Sequence, residues 1–293
     1  MSLVLDGIVV SILLTAFFAA MAIGLNLIFG VMKIVNLSHG SFFMMGSFMA
    51  ISLYGLYRFN PLLSEIFIIP LFFGISVPLY FALIPRISRS RDPEISSFVL
   101  FFGVAFVIQS IAISLYGTTF YSLPISSFSE GSVEIYGFFI PFAYFVAALF
   151  SIALIIAIYL YLYHTGLGLQ TRALMSNREA AILSGVNVTL LSVIAFSMSI
   201  AAVASAGAFS SQILFSTSQD MGDIITITSF TIIIIGGLGN PLGTLVGAAV
   251  YGFTYEFGSI YFPSWLNVIP FLILLVVILL RPNGVFGGRL REI

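Results

Sequence analysis

From Gly7 to Met32 the chain reads GIVVSILLTAFFAAMAIGLNLIFGVM, with no charged residue. A bilayer's hydrocarbon core is about 30 Å thick, and about 20 apolar residues in a helix cross it. The run therefore reads as a membrane span. Further charge-free runs cover 34–57, 66–85, 95–129, 135–171, 180–219, 224–255 and 257–280, and nearly all are long enough to cross. Of the 293 residues, 60% are hydrophobic and 7% charged, against roughly 25% charged in a soluble domain. Long apolar runs also exclude a transmembrane barrel, whose strands alternate in short segments. The fold expected is all-α, a polytopic transmembrane helical bundle of residues 1–293 as one domain.

The same arithmetic removes several functions. A net charge of −1 with ten basic residues leaves no basic stripe for nucleic acid. Without cysteine there is no disulfide framework, thiolate metal site or cysteine nucleophile. No Lys or Arg precedes Lys33, Asp6 comes before the first run, and that run is too long for a signal-peptide core. A cleavable leader is therefore not expected. No glycine-rich phosphate cradle ending in Lys is present, so ATP hydrolysis is not expected in this chain. His39 and His164 have no acidic or sulfur ligand at metal-binding spacing. There is no nucleophile–base pair, so an enzyme is not expected, nor a bound cofactor. Only Glu256 lies amid long apolar sequence, where ion-coupled carriers keep several ionisable groups.

Basic residues cluster at Arg86, Arg89 and Arg91, at Arg172 and Arg178, and at Arg281, Arg289 and Arg291. Short Lys/Arg-rich loops stay in the cytoplasm. Placing these three segments inside puts the N-terminus outside, the C-terminus inside, and Lys33 inside. The outer loops then carry Glu130, Glu134, Asp220 and Asp223, with Arg58 the one basic residue outside. About seven full spans are expected, with an interrupted helix pair near 224–258 and a last span over 265–280.

Three segments could carry function. Within the cytoplasmic loop 164–187, Ser176 followed by Glu179 reads as a capping box. Gly185 then reads as a left-handed helix end. A surface helix over 177–184 follows, resting on its own bundle or docking to a partner. The second segment is Gly30–Gly40, with Lys33, Asn36, Ser38 and His39 between apolar runs. It reads either as a substrate path or hinge or as a short cytoplasmic turn with Asn36 or Ser38 as a cap. The third is Gly236-Gly237-Leu238-Gly239-Asn240-Pro241-Leu242-Gly243. Broken helices can line a transporter's substrate site, and glycines at this spacing also allow close helix packing. Residues 197–211, rich in Ser, Ala and Gly, read as a tightly packed helix.

The loop resembles the permease subunits of bacterial and archaeal ABC importers. Glu179-Ala180-Ala181, three residues, then Gly185 matches the opening of their EAA signature, although Ala195 stands nine residues on with no Leu-Pro after it. Three blocks are similar to branched-chain amino-acid permeases of the LivH type: Gly24–Gly30 through Asn36–Gly40, Thr171-Arg172-Ala173 through Gly185-Val186-Asn187, and Gly236–Gly243. The closing Arg281–Gly287 is also family-like. The resemblance implies an importer permease in the plasma membrane, moving branched-chain or other hydrophobic amino acids, urea and short amides being carried by related permeases. Its partners would be a second related permease, two cytoplasmic ATPase subunits and an external binding protein. Coupling would then fall to Arg172, Asn177, Arg178, Glu179, Ala180 and Gly185. The path or gate would fall to Asn36, His39, Gly40, Gly236, Gly237, Gly239, Asn240 and Gly243. The competing expectation is a self-sufficient channel or secondary carrier for a small polar solute.

Overall fold

A computed structural model describes residues 2–124, 131–135, 138–214, 216–266 and 268–286. Glu130, Gly287, Arg289 and Arg291 lie outside the described residues. The chain forms α1 (Ser2–Met32), α2 (His39–Tyr57), α3 (Pro61–Ser88) and α4 (Pro93–Tyr116), then strands β1 (Ser132–Ile135) and β2 (Phe138–Pro141). There follow α5 (Phe142–His164), α6 (Gly166–Ser176), α7 (Arg178–Leu183), α8 (Val188–Ala208) and α9 (Ser210–Ile213). The last helices are α10 (Met221–Gly236), α11 (Pro241–Tyr261) and α12 (Ile269–Leu280).

Helices α1, α2, α3, α4, α5 and α8 are long and apolar enough to cross a membrane. Their starts follow from local chemistry. Asn60 and Asp92 accept the backbone N–H groups of Leu63 and Ile95, each just before a proline at the first helical position. Proline there loses no hydrogen bond and has the right φ. The last expected span is the shorter α12, twelve residues or about 18 Å long, preceded by a 3₁₀ turn at Pro263–Trp265. Helix α5 begins at Phe142 rather than at 135, because Ser132–Ile135 and Phe138–Pro141 pair as an antiparallel ribbon.

Helix α1 is the axis of the bundle, packing most extensively on α11 and then on α8 and α5. Lipid tails are as apolar as the helices, so close approach and polar links must hold such a bundle together. The Ser/Ala/Gly stretch of α8 supplies the approach. A Cβ on Gly24 would meet the backbone of Ser199, one on Gly46 the carbonyl of Ala204, and one on Gly207 the carbonyl of Phe43. Helices α2 and α8 thus touch backbone to backbone. One polar link corrects the expectation that Glu256 alone lies amid apolar sequence. Glu65, on the second turn of α3, is 4% exposed and accepts a hydrogen bond from Ser205 of α8.

The interrupted pair is a hairpin of helices, α10 and α11 being bent by 113° at the break. Gly237 and Gly239 sit at φ +114° and +76°, conformations open to glycine without a Cβ penalty. The freed backbone groups are met from two sides. Asn26 of α1, fully buried, donates to the carbonyl of Asn240 at 2.8 Å, to that of Gly237 at 3.3 Å, and to the Thr244 hydroxyl at 2.7 Å. Its own carbonyl accepts the Gly239 N–H at 2.5 Å. From the other side, Val285 and Phe286 donate to the carbonyls of Ile235 and Gly236 at 2.9 and 3.0 Å. Asn240 closes the ring by donating to the Phe286 carbonyl at 3.2 Å and by capping α11.

Asn26→Leu keeps the volume and removes these bonds, leaving buried backbone groups unpaired at about 1–3 kcal/mol each. Thermal unfolding in detergent should show a clearly lowered midpoint, and an unchanged midpoint would disprove the clamp. Gly46→Leu should also destabilise, by about 1–3 kcal/mol, with α2 and α8 forced apart. Retained stability in the same assay would refute their backbone contact.

Candidate coupling and translocation site

The connection between α5 and α8 folds into two helices, not one. Asn177 adopts an extended conformation, φ −150° and ψ 105°, that interrupts the helical path. Its N–H closes α6 on the Ala173 carbonyl at 3.0 Å, and its side chain accepts the Ala180 N–H at 3.0 Å to open α7. The capping box expected at Ser176 is therefore corrected. Ser176 is the last residue of α6, and a single extended residue, Asn177, caps both helices. Gly185 ends α7 as expected, at φ +79°. The N–H groups of Gly185 and Val186 bond to the carbonyls of Ile182 and Ala181 at 3.0 and 3.1 Å, the left-handed helix stop that favours glycine.

The two arginines of this connection each bond to the end of a spanning helix, Arg172 half-buried and Arg178 exposed. Arg172 donates from Nε to the Leu162 carbonyl at 3.0 Å, and its guanidinium lies 4.6 Å from the centre of the Tyr163 ring. Arg178 donates to the Val31 carbonyl at 3.3 Å, at the end of α1. Ala181 is the buried contact of α7, whereas Glu179 and Ala180 are exposed. Beside them Ile182 is 51% and Leu183 89% exposed. These two leucine-like side chains were legible only as part of an apolar stretch, because a six-residue helix gives too little periodicity to assign a face.

The segment after α1 is not a surface turn. Helix α1 ends at Met32, Lys33 turns the chain at φ +56°, and residues 33–38 run without regular helix to His39. His39 is fully buried, and its Nε2 lies 2.9 Å from the Met21 carbonyl. Met21 stands about eleven residues before the end of α1, or about 16 Å along its axis. Gly40 is equally deep. Its N–H donates to the Thr226 hydroxyl at 2.9 Å, about ten residues and 15 Å from the end of α10 at Gly236. Six extended residues can reach about 20 Å, so Lys33–Ser38 climbs back to the middle of the bundle.

Non-helical backbone at that depth is tolerated only inside protein, and side chains of two helices supply partners for it. Ser97 of α4 accepts the Val35 N–H at 3.2 Å. Thr226 of α10 donates to the Leu37 carbonyl at 3.1 Å. Asn36, fully buried, accepts the N–H and hydroxyl of Ser38 at 3.1 and 2.8 Å. It makes a local turn, and Ser38 stands at the N-cap position of α2 without a side-chain cap bond, so neither of the two expected caps forms through its side chain. Two nitrogens here, Nδ2 of Asn36 and Nδ1 of His39, are buried with no partner among the described residues. The Met21 carbonyl can only accept, which puts the proton of a neutral His39 on Nε2 and leaves Nδ1 as an acceptor.

The three expected segments meet at one end of the bundle. A Cβ on Gly30 would contact both Met175 of α6 and Gly239 of the break, and one on Gly239 would lie 3.6 Å from the Lys33 ammonium. Partial burial pulls the Lys33 pKa below its usual value. Gly236 and Gly243 pack backbone to backbone, so the break is a close-packed corner beside the end of α1. Asn36, His39 and Gly40 lie deeper, apart from it. Sequence reasoning did not single out Asn26 and Thr226, which hold both segments. Asn26 was detectable as the sole amide in the Gly7–Met32 run.

A family model described as "Branched-chain amino acid transport system / permease component" matches residues 7–279. The chain is 28% identical over 97% of its length, and 92% of the relative's, to a probable branched-chain amino acid transport permease protein LivH of Methanocaldococcus jannaschii. It is 23% identical to the high-affinity branched-chain amino acid transport system permease protein BraD of Pseudomonas aeruginosa, over 92% and 91% of the two chains. It is 22% identical to the corresponding LivH of Salmonella typhimurium, again over 92% and 91%. No solved structure matches the chain. The match over nearly its whole length makes this chain a member of the branched-chain amino-acid transport permease family, a multi-pass membrane protein.

Proposed function

We propose that the chain is the permease subunit of an ATP-driven importer, forming the path for branched-chain or other hydrophobic amino acids handed over by an external binding protein. The observation that carries this reading is α7. It is a six-residue helix, too short to be stable by itself, with Leu183 89% exposed beside Glu179 and Ile182. Such a surface at a connection between spans fits a docking partner. Two ATPase subunits occupy that role in this reading, and a second related permease completes the membrane part. Orientation follows from the basic clusters, with the N-terminus outside and the connection carrying α6 and α7 in the cytoplasm.

In the working cycle, Asn177, Glu179, Ala180 and Gly185 hold and present the docking helix, while Arg172 and Arg178 tie it to the bundle. ATP acts as a ligand with different affinity for two states of the assembly, and so shifts the bundle between outward- and inward-open forms. Asn36, His39 and Gly40 form the polar point of the path at mid-depth. Gly236, Gly237, Gly239, Asn240 and Gly243 form a fixed wall of the path at its inner end, beside Lys33.

Affinity purification from native membranes should recover an ATPase and a second permease in stoichiometric amounts, and reconstituted vesicles should take up leucine only with ATP. Solute movement by the purified chain alone would replace this reading with a channel or carrier. Leu183→Asp and Glu179→Lys should each release the ATPase and abolish uptake while membrane insertion stays normal. Gly185→Asp places a Cβ at positive φ, costing about 1–2 kcal/mol, and should impair uptake in the same way. Normal uptake by all three would remove α7 from coupling.

A further inference from the structure

Arg178 occupies a different position from its neighbours on α7. The residue is exposed like Glu179 and Ala180, yet its guanidinium reaches back to donate to the carbonyl of Val31. The last carbonyls of a helix lack partners within it, and a cation is favoured there. Val31 is the penultimate residue of α1, two residues before the left-handed turn at Lys33. A non-glycine residue at positive φ is a costly conformation that persists only where its surroundings enforce it. Beyond it lies the Lys33–Ser38 segment, which delivers His39 and Gly40 to mid-depth. Arg178 also lines a cavity of about 300 Å³ shared with Met32, Ile34, Tyr80, Arg89 and Ser192. That cavity opens between α7 and the start of the extended segment, and gives the guanidinium room to move.

We propose that Arg178 is a positioning residue: displacement of α7 reaches the Lys33–Ser38 segment through its hydrogen bond to the end of α1. The proposal rests on the importer reading, and it divides the α7 residues by task. Glu179, Ile182 and Leu183 face outward to dock, whereas Arg178 reaches back to α1 to transmit. Removing Arg178 should therefore leave the ATPase bound and hydrolysing ATP while the substrate path no longer follows.

The test uses the complete complex in vesicles, with radiolabelled leucine as the probe and ATP hydrolysis measured in parallel. Arg178→Ala should lower leucine moved per ATP hydrolysed by about tenfold, within the usual range of coupling between sites, with the ATPase still co-purifying. Arg178→Lys, which keeps a cation able to reach the Val31 carbonyl, should stay nearer the unaltered ratio. If Arg178→Ala does not insert, Arg178→Gln takes its place in the same measurement. An unchanged ratio would overturn the proposal. So would loss of the ATPase, which makes Arg178 a docking residue, or failure of both variants to insert, which makes it a folding residue. Absence of ATP-driven uptake by the unaltered complex would instead remove the importer reading, and this inference with it.

Discussion

Asn26 holds the bundle where it is weakest. A helix satisfies its own backbone, but a break inside a membrane protein frees groups that water cannot reach. One buried amide of the central helix answers three of them at once, at Gly237, Gly239 and Asn240, and binds the Thr244 hydroxyl as well. The C-terminal residues Val285 and Phe286 close the other side. With that corner fixed, α10 and α11 can fold back on α1, and α1 gains the neighbours that bury most of its length.

The same constraint shapes the segment between α1 and α2. Its non-helical backbone at mid-depth is held by hydrogen bonds to Ser97 of α4 and Thr226 of α10, and the His39 ring that follows it by the Met21 carbonyl of α1. These are single hydrogen bonds from different helices, in contrast to the closed ring around the break. A segment held this way can change partners when helices shift. The break, paired on both sides, is the more rigid of the two.

The connection carrying α6 and α7 lies at the fixed corner. Met175 meets Gly30, Arg178 meets Val31, and Lys33 meets Gly239. A force applied to α7 would therefore arrive first at the end of α1. Its exposed apolar residues, Ile182 and Leu183, lie on a connection between spans, where the described residues of this chain leave them uncovered.

Charge-free length alone determined the helical membrane fold, because nothing but a helix or a closed barrel can cross a bilayer. Glycine and proline at 236–243 likewise fixed the place of the broken pair, and Gly185 the end of α7, since those residues act through local backbone geometry. Distance along the chain hid the rest. Ser176 and Asn177 are both good caps, and only the packing of α6 on α5 decided which one ended a helix. Lys33–Ser38 has the composition of a surface turn, and its depth depends on partners up to about 190 residues away. Glu65 stands at the edge of an apolar run, and its burial depends on Ser205 of a distant helix. Local sequence sets what a segment can form, whereas depth and partners come from which helices the whole bundle brings alongside it.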